Sequence, residues 1–166
     1  MRYRVAHRRA AQRSGLTQVL GAMSDDFATT YKNGVTLALS GFQFLEETLK
    51  TYLELYFDAV RKLTHQKLYF GFERGDYQKA ALGRLVQAFS KACDDKALVT
   101  ELRGMVEKRD HIAHQALLRF YRPEPITGEE YAKLLTQNQE TVEQLGAIGP
   151  RLVAHLRRVE DVRGGA

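Results

Sequence analysis

An all-α fold, an up-and-down antiparallel four-helix bundle with an extra N-terminal segment, is predicted by three observations. Apolar residues recur at three-and-four spacing over long stretches, strand-like alternation is missing, and the strongest punctuation, Asp94-Asp95 and Pro123 with Pro125, falls between those stretches. Short connections between such helices make antiparallel neighbours the expected arrangement. With 166 residues, 44% of them hydrophobic and 27% charged, the chain suits one domain with a sizeable core.

Residues 1–15 form a basic arm, 16–162 the helical domain and 163–166 a frayed tail. Leu16, Val19, Leu20 and Met23 suggest a short amphipathic helix after the arm, closed by the turn chemistry of Ser24-Asp25-Asp26 and by a second break at Asn33-Gly34. The first long helix is predicted over 35–64, where Phe42, Leu45, Leu49, Tyr52, Tyr56, Val60 and Leu63 make one apolar stripe. The aromatics of the stretch 68–76 read as a seal on the bundle end. A second helix, over 77–93, uses Leu82, Leu85, Val86 and Phe89. Asp94-Asp95 caps a third, over 96–121, because carboxylates satisfy free N–H groups at the positive end of the helix dipole. Pro123 and Pro125 stop it, and Thr127-Gly128-Glu129-Glu130 opens the last helix, which Gly149-Pro150 should kink or split.

The net charge of +5 is unevenly placed. Arg2, Arg4, Arg8, Arg9 and Arg13 sit in the arm with no acid, so 20 basic and 20 acidic residues remain beyond it. The arm is thus the part suited to phosphate. One cysteine, Cys93, excludes an internal disulfide framework and a multi-cysteine metal knuckle, and fits a reducing cytoplasm. No apolar run approaches the roughly 20 residues of a membrane span, and the charged opening lacks the apolar core of a secretory signal.

The stretch Glu107 to Leu118 departs from this plain pattern. At about 100° per residue, Leu98, Leu102, Met105, Ile112, Ala116 and Phe120 fall near one line of the helix surface, and Arg109 falls on the same line. A guanidinium in a leucine slot requires an internal carboxylate, with Glu46 or Glu47 as candidates, or a polar cleft to face. Asp110 and His114 are neighbours at i,i+4, suited to a carboxylate orienting an imidazole. Glu107, His111 and His114 form a second row that offers a partial metal ligand set with no fourth ligand identified. For phosphodiester chemistry without a metal, His supplies proton transfer and Arg a fixed bidentate cation. On an ideal helix Arg109 and His114 lie roughly 140° apart, so a two-fold dimer pairing this helix with its mate is the natural way to bring both onto one phosphate.

Glu107-Lys108-Arg109-Asp110-His111-Ile112-Ala113-His114 resembles the motif of the HEPN superfamily, an Arg, a polar residue and a His four to six residues on. Phe44 to Leu53 looks like the first helix of such bundles, and Leu82 to Phe89 is similar to the helix preceding the motif in bacterial members. The resemblance covers roughly 35–160. It implies a helical bundle dimerising across the motif helix and, in many members, a metal-independent endoribonuclease acting as a toxin or defence effector without a cofactor. Carried to this chain, the catalytic residues are Arg109 and His114 with Asp110 at the polar position. His111, Glu46 and Lys108 are the flanking groups expected to meet substrate. RNA, a second copy and a cognate antitoxin or regulator are the expected partners. Toxins paired with a nucleotidyltransferase antitoxin commonly carry Tyr two residues after the His, where this sequence has Ala116. Other members are inactive, so a non-catalytic helical scaffold or nucleotide-binding and dimerisation domain is the rival expectation.

Overall fold

The computed structural model describes the backbone apart from residues 1–2, 65–74, 119–125 and 166, and side chains from residue 26 onward. The aromatics of 68–72, the two prolines after the third helix and the side chains of the basic arm lie outside that description. Among the described residues there are four helices: α1 Tyr3–Leu63, α2 Leu82–Ala92, α3 Lys96–His114 and α4 Gly128–Gly165. No strand occurs among them, as the patterning predicts, and no helix is long and apolar enough to cross a membrane.

The stripe on α1 is Tyr31, Val35, Ala38, Phe42, Leu45, Leu49 and Tyr52, all buried and spaced alternately by four and three residues. A full side chain such as Phe42 or Leu49 contributes about 1.5–3 kcal/mol through burial. On α4, Asn138, Thr141, Leu145, Ile148 and Leu152 repeat the rhythm. The two stripes meet in register. Phe27 lies against Tyr131 at 5.6 Å between ring centroids, Gly34 against Asn138 and Gly41 against Leu145, each step advancing seven residues on both helices. A shared seven-residue advance in the same sense is the geometry of a parallel pair.

The strictly alternating bundle expected from sequence is therefore not formed. α3 runs against α1, placing Arg109 at Glu46 and Ala116 at Tyr31. It also runs against α4, placing Asp95 at His155, Glu101 at Arg151 and Lys108 at Gln144. The three-residue connection from α2 and the contact of Gly83 with Val106 make α2 antiparallel to α3 as well. Alternation follows from short connections, and 18 residues separate Leu63 from Leu82.

Several expected breaks are absent for packing reasons. α1 continues through Ser24-Asp25-Asp26 and Asn33-Gly34. A Cβ on Gly34 would stand 2.5 Å from Asn138 Nδ2, so this glycine serves the close approach of α4 rather than a turn. α4 continues through Gly149-Pro150: Gly149 is buried against Phe44 while Pro150 is exposed. The tail expected to fray is helical to Gly165, where the Arg163 carbonyl accepts from Lys62 Nζ at 3.0 Å. α2 starts at Leu82 rather than Tyr77, because Tyr77 sits in a turn stacked 6.2 Å from Phe57. α3 stops at His114 rather than running to Tyr121. The amides of Gln115 and Ala116 both donate to the His111 carbonyl, and the Tyr31 hydroxyl donates to the Ala116 carbonyl at 3.2 Å. A cap delivered from a residue 85 positions away leaves no mark in the local sequence.

Candidate functional site

Arg109 occupies the leucine slot at the edge of the core rather than inside it. Leu102, Met105 and Ile112 on the same stripe are buried, yet the arginine side chain keeps 28% of its surface. The slot faces α1 where Glu46 stands. Arg109 Nε donates to Glu46 Oε1 at 3.2 Å, and Arg109 Nη1 donates to Asp110 Oδ1 at 3.2 Å. Of the two carboxylates considered on α1, Glu46 is the partner; Glu47 is engaged by Lys50 at 2.6 Å. The Glu46 side chain is 17% exposed, so this pair is partly desolvated and stronger than a free surface bridge. The guanidinium spends two of its five N–H donors on these carboxylates and keeps three outside them.

Asp110 accepts from Arg109 rather than orienting His114, and its side chain is 62% exposed. His111 and His114 are both exposed in the last turn of α3, and neither imidazole has a hydrogen bond or ion pair among the described residues. The ligand atoms of Glu107, His111 and His114 do not converge to metal-binding distance, and the His/Cys/Asp/Glu group that does, among the described residues, lies at the other end of α3.

The predicted cluster divides over two surfaces. Arg109 and Asp110 face the Glu46 side. Glu107, Lys108 and His111 line a cleft of about 420 Å³ between α3 and α4, with Tyr31, Ile112, Leu134, Gln137, Asn138, Glu140 and Thr141 on its walls. Lys108 is drawn across the bundle, its Nζ donating to Gln144 Oε1 at 2.7 Å. Asn138 is 6% exposed and gives its Nδ2 to the Tyr31 carbonyl at 3.4 Å, while its Oδ1 has no partner among the described residues. A buried acceptor left unsatisfied costs about 1–3 kcal/mol. Sequence reasoning had no access to Asn138, since an isolated Asn in a polar stretch of α4 reads as surface. Its place in the seven-residue stripe of Tyr131, Leu134, Thr141 and Leu145 was the available signal.

By charge the Arg109 surface is acidic when taken alone: one guanidinium stands between two carboxylates. It also lies near the C-terminal end of α3, where the helix dipole disfavours anions. A single chain is thus a poor phosphate site. Leu117 and Leu118, 42% and 56% exposed, add apolar surface immediately after His114. No protein-family profile and no curated protein matches the sequence, and no solved structure matches the fold.

Proposed function

We propose that the chain is a HEPN-like, metal-independent endoribonuclease that works in the cytoplasm as a homodimer across α3, as a toxin or defence effector. The observation that carries the reading is the state of Arg109. Its guanidinium is held in a fixed direction by Glu46 and Asp110, remains partly exposed and keeps three donors without a partner among the described residues, which is what a pre-oriented phosphoryl clamp requires. His114 of one copy takes the 2′-hydroxyl proton as that oxygen attacks the adjacent phosphorus. The 5′-oxygen leaves with a proton from the protonated His114 of the other copy, and a 2′,3′-cyclic phosphate end results. Arg109 faces the phosphoryl oxygens as negative charge gathers on them. The second copy supplies what one chain lacks, a matching Arg and His near the same phosphate, and its contact would cover Leu117 and Leu118. Asp110 acts through Arg109, holding the guanidinium, rather than on His114. His111 and Lys108 meet the neighbouring nucleotide from the α3–α4 cleft.

The test is cleavage of single-stranded RNA in excess EDTA by the purified protein. Cyclic phosphate ends are expected, with a loss of about 10²–10⁴-fold in His114→Ala at unchanged helical content. Wild-type protein that leaves RNA intact, or a His114→Ala variant that cuts as well, sinks the reading. A second reading is favoured by the Arg109 to Glu46 bond itself: a non-catalytic helical scaffold in which that pair ties α3 to α1. In that case His114→Ala is silent and Arg109→Ala unfolds the protein or separates the dimer.

A further inference from the structure

At the N-terminal end of α3 the only cysteine of the chain meets a histidine from the far helix. Cys93 follows the last residue of α2, Asp94 and Asp95 complete the connection to α3, and His155 lies on α4, 62 residues from Cys93. Cys93 Sγ stands 3.7 Å from His155 Nδ1. The thiol sulfur, a ring nitrogen of His155 and an Asp94 carboxylate oxygen all lie within 4.8 Å of one another. A tetrahedral zinc with Zn–S of about 2.3 Å and Zn–N of about 2.05 Å holds sulfur and nitrogen about 3.6 Å apart. The observed spacing already matches that edge.

The opposite nitrogen of His155 is fixed by a carboxylate. Nε2 lies 3.5 Å from Asp95 Oδ2, and Asp95 is itself held by the Leu98 amide at 2.8 Å and by Arg151 at 3.4 Å. With its proton on Nε2, facing that carboxylate, the ring turns its Nδ1 lone pair to the sulfur. A histidine with one nitrogen on a carboxylate and the other turned to a ligand position is the usual outer arrangement at protein-bound zinc. The ring is further set by an edge contact with Phe89, 6.3 Å between centroids.

We propose that Cys93, Asp94 and His155 bind a divalent zinc ion, with the fourth coordination position open on the exposed Asp94 side. Mixed sulfur, nitrogen and oxygen donors select zinc over magnesium or calcium, which take oxygen. A nucleophilic thiol is the competing use of a cysteine beside a histidine. Cys93 is 6% exposed, so its sulfur is out of reach of a substrate in solution. Zinc binding displaces the thiol proton to solvent and changes no oxidation state. The ion clips the α2–α3 connection to α4. It lies apart from Arg109 and His114, so the inference stands without the ribonuclease reading.

Chelator-stripped protein is titrated with Zn²⁺ by calorimetry and with Co²⁺ by absorption. A single equivalent per chain, a sulfur-to-cobalt charge-transfer band and a rise in melting temperature with Zn²⁺ are expected. Cys93→Ser removes the band, and His155→Gln weakens Zn²⁺ binding at least 100-fold. Asp94→Asn, an exposed change that leaves the fold alone, weakens it about tenfold. Wild-type protein with no cobalt band overturns the proposal. So does zinc affinity that is unchanged in Asp94→Asn, or equal in Cys93→Ser and His155→Gln to that of the wild type.

Discussion

The two ends of α3 are both rich in ionisable groups and are built in opposite ways. At the C-terminal end the groups are neighbours in sequence, Glu107 to His114, yet they fan around the helix onto two surfaces and the imidazoles stay in solvent. At the N-terminal end Cys93, Asp95, Glu101, Arg151 and His155 come from two distant parts of the chain and interlock. Closeness along a helix spreads side chains by about 100° per residue, whereas closeness across helices aims them at each other. A dense motif in sequence is therefore weak evidence of a converged site within one chain. It suits a surface completed by another molecule.

The comparison breaks most sharply at Arg109. Arg109→Leu fills the apolar slot but strands Glu46, and chemical denaturation should show a loss of about 1–3 kcal/mol. Adding Glu46→Leu should recover most of it, because an ion pair replaced by apolar groups is often neutral or stabilising. Failure of the double variant to recover would mean that the pair is not what couples α3 to α1. Next comes Tyr31→Phe, which removes the hydroxyl that closes α3 at Ala116 and should cost about 0.5–1.5 kcal/mol. Hydrogen exchange of the last turn of α3 should quicken with it.

At the other end the effect is confined to acid. The Leu98 amide, followed by Arg151 and His155, holds the Asp95 carboxyl below the usual carboxylate range. Folding thus favours its ionised form. Its contribution is complete above the unfolded value of about 3.9 and is lost as pH falls through the lower folded one. Asp95→Asn keeps an N-cap acceptor and cannot titrate. It should lie below the wild type in melting temperature above about pH 4 and approach it in stronger acid. Parallel curves over the whole range would remove Asp95 from the network. Smallest of all, Lys108→Met loses an exposed bond to Gln144 and should change stability by no more than about 0.5 kcal/mol. A larger loss would show that the C-terminal end is interlocked after all.

Much of the fold was legible because it rests on short-range periodicity. Phe42, Leu45 and Leu49 on α1 and Leu82, Leu85 and Phe89 on α2 are buried as their spacing predicts, and Asp95 caps α3 through Leu98. The misreadings share one cause. Gly34 and Gly149 read locally as breakers, and each lies where another helix comes close. Tyr77 and Ala116 were placed in helices, and each is claimed by a partner on α1.

By itself the sequence determined that the chain is helical, where its apolar stripes lie, and that Arg109 stands in a stripe and needs a carboxylate or a polar cleft. Periodicity and charge are carried by neighbouring residues. Only the tertiary structure decided that the carboxylate is Glu46, that α4 lies parallel to α1, and that Cys93 and His155 meet. Those are properties of register between helices, set by which side chains interlock across tens of residues, and no local pattern encodes them.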